Sequence, residues 1–190
     1  MKYLALGDSY TIGTGASDES RAWPSIVARR LDAELTNPAV NGFTTEDLIR
    51  EELHLFAKVR PDLVTVLIGV NDLVQGRSPE AYRRSLVRIY DVVASAAVVG
   101  VSIPTWSYVP AAADFGCARQ IDRLTKLFND VARDEAAARG LPWVDLGVAS
   151  TSGIGTEGWI AADNLHPGDI QYAAWAEVIY AAVRDHLTIT

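Results

Sequence analysis

Leu63-Val64-Thr65-Val66-Leu67-Ile68 is apolar on both faces, and no other segment constrains the fold as much. A half-exposed strand alternates apolar and polar residues. An unbroken run of strand length instead belongs inside a parallel sheet, with helices covering both sides. Further runs of strand length are Lys2–Leu6, Leu35–Val40 (interrupted by Pro38), Val101–Tyr108 and Pro142–Leu146. They alternate with helix-period segments at Trp23–Glu34, Thr45–Lys58, Pro79–Val99, Ala118–Arg139 and Asp169–Leu187. Such alternation predicts βαβ units, right-handed crossovers and a doubly wound parallel sheet.

Local chemistry supports the helices. Ser78-Pro79 reads as an N-cap with proline at the first helical position. Thr44 with Asp47 three residues on is a variant capping box. Ile121, Leu124, Phe128 and Val131 recur at helical spacing, and Gly140 follows as a stop. The 190 residues contain no repeat, low-complexity tract or linker, which predicts one domain over 1–190. Gly147–Ala162 is the one long irregular stretch.

Charge and cysteine usage narrow the function. A net charge of -7 disfavours nucleic acid and anionic membranes as partners. Cys117 stands alone, so no intramolecular disulfide is possible. The most apolar stretch, Val92–Val101, is about half the roughly 20 residues that a spanning helix needs, so no integral membrane contact is expected. Four apolar residues between Lys2 and Gly7 are too few for a signal-peptide core. The expectation is a cytoplasmic protein, a removed secretion signal replaced by Met1 being the other reading.

Four polar clusters interrupt the scaffold, and each follows a predicted strand. They are Gly7-Asp8-Ser9, Asn41-Gly42, Gly69-Val70-Asn71-Asp72 and Asp163-Asn164-Leu165-His166-Pro167. In a parallel sheet the C-terminal strand ends share one edge, so the four should meet in space. Their chemistry is complementary. Ser9 offers an oxygen nucleophile, His166 a base, and Asp163 a carboxylate to orient the imidazole. The backbone N–H groups of Ser9 and Gly42 and the Asn71 amide are candidate donors to an oxyanion.

Taken singly, each cluster is an ordinary turn or helix cap. The four in order, across nearly the whole chain, resemble the blocks that define the SGNH hydrolases, also called GDSL esterases and lipases. Gly7-Asp8-Ser9-Tyr10-Thr11 departs from the family name only at Tyr10, where the name has leucine. The resemblance implies Ser9 as nucleophile, His166 as base then acid, Asp163 as its partner, and Ser9, Gly42 and Asn71 as oxyanion donors. It also implies a flavodoxin-like three-layer α/β/α sandwich with a five-stranded parallel sheet in the order 2-1-3-4-5. The function implied is a carboxylic ester hydrolase working through an acyl-enzyme. An acyltransferase or a carbohydrate O-acetylesterase would use the same triad. A non-catalytic flavodoxin-like module cradling an anion at Gly7–Gly15 is the reading from a different class.

No cofactor or metal is expected. Asp8, Asp163 and His166 lack a second histidine or a cysteine at ligand spacing. Gly13-Thr14-Gly15 lacks the ending of a phosphate-binding loop. Asp8 and Asp72 are read as structural, accepting backbone N–H bonds that hold the turns presenting Ser9 and Asn71. His54 and His186, within charged helical segments, are read as surface or structural residues. Tyr10, Phe43, Leu73, Val74, Trp106, Tyr108 and Trp159 are candidates to line an acyl pocket, with plain core as the alternative. Small or short-acyl esters are the expected substrates.

Overall fold

The computed structural model describes residues 1–189. Five parallel strands form one sheet: β1 (Lys2–Gly7), β2 (Glu34–Thr36), β3 (Leu63–Leu67), β4 (Ala97–Val101) and β5 (Trp143–Val144). Their spatial order is β2-β1-β3-β4-β5, the order implied by the resemblance. The register pairs Gly7 with Leu67, so the turns that follow β1 and β3 emerge side by side. β3 is buried along its whole length, as its unbroken apolar run demands.

Helices cover both faces. On one face α2 (Trp23–Arg30) packs against α9 (Asp169–Ile189). On the other, α6 (Pro79–Val93) packs between α3 (Thr45–Glu51) and α7 (Ala118–Ala137). The expected caps are present: Ser78 Oγ accepts the Ala81 N–H at 3.2 Å, and Thr44 and Asp47 form a reciprocal capping box. Among the described residues no helix is long and apolar enough to cross a membrane.

Two expectations give way. The fourth strand is Ala97–Val101 rather than Val101–Tyr108, and the helix before it stops at Val93 rather than Val99. Consecutive apolar residues over 96–101 satisfy the helical and the strand period alike. Packing decides between them. A Cβ at Gly100 would lie 2.8 Å from Trp143 Cε3 and 2.9 Å from the Tyr90 hydroxyl, so β5 and α6 close in on bare backbone. Residues 102–117 thus become a long connection across the sheet edge, containing a 3₁₀ turn at Pro110–Phe115.

The second is the helix expected over Thr45–Lys58, which divides into α3 and α4 (Leu55–Val59). The break turns Glu52 inward beneath β1, where Glu52 Oε2 accepts the Gly7 N–H at 3.0 Å. Two further short helices, α1 (Ser9–Ile12) and α5 (Val70–Val74), start directly at the ends of β1 and β3. Gly147–Ala162 contains one as well, α8 (Gly147–Thr151).

Candidate active site

The four polar clusters converge at the C-terminal edge of the sheet. Ser9, Gly42, Asn71 and His166 line one cleft of about 180 Å³. Ser9 opens α1, with Asp8 as its N-cap accepting the Tyr10 N–H at 3.0 Å. A residue at a helix start has no intrahelical acceptor for its N–H. The Ser9 N–H is bonded to no backbone acceptor among the described residues, and neither is that of Gly42. Gly42 sits at φ +82, with open space where a Cβ would be, so its N–H can be approached closely. Asn71 Nδ2 donates to the Phe43 carbonyl at 2.9 Å and approaches Asp8 Oδ2 at 3.5 Å. The first bond fixes the amide plane beside Ser9.

The opposite wall is a turn. His166 Nδ1 lies 2.6 Å from Asp163 Oδ2, while Asp163 Oδ1 accepts the N–H groups of Leu165 and His166, each at 2.9 Å. Burial alone would raise the Asp163 carboxyl. Those two N–H groups and the imidazole outweigh it and hold the group below the usual carboxylate range. An ionised Asp163 accepts a hydrogen bond from Nδ1–H, which leaves Nε2 as the basic nitrogen. Among the described residues no hydrogen bond joins Ser9 Oγ to the ring, which shares the cleft with it.

The stretch before this turn is its scaffold. Ile160 bridges Pro167 antiparallel, and Ala161 N–H donates to the His166 carbonyl at 2.9 Å. Trp159 is buried, its Nε1 3.0 Å from the Tyr108 hydroxyl and 3.2 Å from the Ser150 carbonyl. Gln171 Nε2 donates to the same two oxygens, at 2.9 Å each. Tyr108 and Trp159 therefore brace the histidine turn and do not line the cleft. Phe43 and Leu73 are also outside it: Leu73 belongs to the core, and Phe43 contributes its carbonyl to Asn71.

Tyr10, Val74 and Trp106 do line the cleft. Tyr10 meets the His166 ring edge-on at 5.9 Å, and Trp106 is fixed by its Nε1 bond to Thr125 Oγ1 at 3.1 Å. The remaining apolar wall was not anticipated from the sequence: Val70, Leu165 and Phe115. Phe115 stands half exposed on the 3₁₀ turn, edge-on to Trp106 at 5.6 Å. Had the fourth strand been placed correctly, the same edge rule would have pointed to the connection that carries it.

Three buried carboxylates lie beneath Ser9. Burial raises Asp8 to about 7, against the Tyr10 N–H and with the help of the Asp72 charge. Glu52, 1% exposed, is raised to about 8 by burial and by Asp8, and its Oε1 has no hydrogen-bond partner among the described residues. Asp72 is raised by burial too, opposed by Thr45 and Arg77. Its bonds run to the Thr45 N–H at 2.8 Å and the Thr45 hydroxyl at 2.6 Å. It therefore ties the Asn71 turn to the start of α3, a few residues from Gly42. Glu52 carried a readable signal: it falls four residues after Leu48, on the apolar face of its helix.

His54 is exposed at the start of α4, and neither it nor His186 on α9 belongs to the cleft. Cys117 is the exposed N-cap of α7. Among the described residues no group of three metal-ligating side chains could hold an ion.

Residues 5–174 match the sequence profile described as the GDSL-like Lipase/Acylhydrolase family. Esterase TesA of Pseudomonas aeruginosa is 26% identical over 173 residues, covering 86% of this chain and 78% of that protein. The crystal structure of a lipase/acylhydrolase from Enterococcus faecalis superposes with a TM-score of 0.74 at 27% identity, covering 97% and 95% of the two chains. A crystal structure of TesA has a TM-score of 0.78 at 21% identity over 98% of this chain and 99% of its own, a likeness of fold.

Proposed function

Because the chain belongs to the GDSL-like Lipase/Acylhydrolase family, we propose that it is a serine-dependent ester hydrolase in which Ser9 is the nucleophile. The observation that carries this reading is the meeting of Ser9 with the Asp163–His166 pair in one cleft, beside two unbonded backbone N–H groups and the Asn71 amide. Ser9 Oγ attacks the ester carbonyl as His166 Nε2 takes its proton. The N–H groups of Ser9 and Gly42 and Asn71 Nδ2 hold the oxyanion. Collapse expels the alcohol, protonated by His166, and leaves an acyl group on Ser9. Water, deprotonated by the same nitrogen, then releases the acid.

The substrate class follows from the cleft. Its volume of about 180 Å³ is below the roughly 300–1,000 Å³ of sites for drug-sized ligands. Its far wall is the Trp106–Phe115 pair. We assign it short acyl groups, and a cytoplasmic setting, which the exposed and unpaired Cys117 favours over an oxidising one. Across a series of p-nitrophenyl esters, kcat/KM is expected to peak at two to four acyl carbons and to fall about tenfold or more by eight. In Phe115→Ala the peak should move to longer chains. A wild-type profile that rises steadily to twelve carbons would refute the short-acyl assignment.

A further inference from the structure

A second cavity, larger than the catalytic cleft, lies between α3 and α6. It is a groove of about 650 Å³ into which four arginines converge: Arg50, Arg77, Arg84 and Arg88. Glu46 lines the groove with them, and the chain as a whole carries a net charge of -7. Two of the guanidiniums are neutralised within the protein. Arg50 pairs with Asp47 at 2.6 Å and Glu51 at 2.7 Å, and Arg77 pairs with Glu46 and approaches Asp72 at 3.4 Å.

Arg84 and Arg88 are different. Neither has a carboxylate within ion-pair distance among the described residues. They stand one turn apart on α6, where like charges oppose the helix. Between them Ser85 is buried at the groove floor, and its hydroxyl makes no hydrogen bond within the described residues. Unpaired guanidiniums flanking an unused hydroxyl in a concave site form a donor set without an acceptor. Oxygens of a phosphoryl group match it: each guanidinium offers a planar fork for two of them, and the hydroxyl serves a third.

We propose that this groove binds a small, multiply charged oxyanion, a phosphate-bearing molecule, at a site separate from the catalytic cleft. Arg84, Arg88 and Ser85 make the primary contacts. Arg77 forms the inner end and joins the site to Asp72, next to Asn71.

Inorganic pyrophosphate is a suitable probe for calorimetric titration of the full chain, with sodium chloride at matched ionic strength as the blank. Saturable one-to-one binding is expected in the wild type. It should weaken at least tenfold in R84Q/R88Q and remain in R119Q/R123Q, which removes the same charge from the exposed surface of α7. Ester hydrolysis by R84Q/R88Q should equal that of the wild type, showing that the variant is folded. Absence of saturable binding in the wild type overturns the proposal, as does equal weakening in the two double variants. Neither result bears on the esterase reading, which rests on the other cavity.

Discussion

Ser9 and Asn71 hang from the ends of β1 and β3 above three buried carboxylates, whereas His166 and Asp163 ride a turn whose aspartate side chain is 42% exposed. One wall is held by the sheet and by acids that have lost their water. The other is held by a hydrogen-bonded brace of Tyr108, Trp159, Gln171 and the Ser150 carbonyl. Protonation acts on the two in opposite senses. Glu52 and Asp8 have raised native pKa values, so their stabilising contribution is intact below the ordinary carboxylate range and is lost as pH rises towards about 8 and about 7. Asp163 is lowered, so its contribution is present at neutral pH and is lost on acidification. The comparison separates two ways of holding a wall: the Ser9 side rests on carboxylates that are costly to bury, and the His166 side on hydrogen bonds to an ionised aspartate.

The sharpest break in this comparison is expected at the histidine. His166→Ala should lower kcat by about 10⁴-fold or more while leaving thermal stability within a few degrees, because its ring is on a partly exposed turn. Stopped-flow or plate-reader assay with p-nitrophenyl acetate beside a melting curve reads both. Loss of folding together with activity would mean that the turn is part of the core. On the other wall, Asn71→Ala should lower kcat by about 10²–10³-fold, the usual cost of one oxyanion donor. It should also lower stability, since the amide's bond to Phe43 is lost. A kcat unchanged in Asn71→Ala would remove that residue from the oxyanion site.

Smallest in activity but most specific to the buried acids is Glu52→Gln. The amide keeps an acceptor for the Gly7 N–H and does not titrate. Wild-type stability should decline as pH rises from about 5 to 8, and the decline should be shallower in the variant by about 1–3 kcal/mol at the upper end. Denaturant melts at a series of pH values measure it. Parallel slopes in the two proteins would show that Glu52 is not carrying a proton in the native state.

How much was legible beforehand depended on how local the physics is. Gly7-Asp8-Ser9 and Asp163–His166 are short turns at strand ends, and their geometry follows from neighbouring residues, so the cleft's polar groups could be named from the sequence. β4 was misplaced because Ala97-Val98-Val99-Gly100-Val101 satisfies two periods, and only contact with Trp143 and Tyr90 selects the strand. That shift hid Phe115 in the connection after β4. Tyr108 and Trp159 were expected as candidates for the acyl pocket, but which side of the histidine turn they occupy is a tertiary fact. Glu52 depends on a helix break that brings it under Gly7, a partner 45 residues away in the chain.

The central claim, a nucleophilic Ser9 activated by His166, is tested most directly by treating the protein with a fluorophosphonate and measuring its intact mass and Ser9-containing peptide. One phosphonyl group per chain, on Ser9, is expected in the wild type. Labelling should be absent in Ser9→Ala and slowed by orders of magnitude in His166→Ala. An unlabelled wild type, or label that persists in Ser9→Ala, would contradict the account.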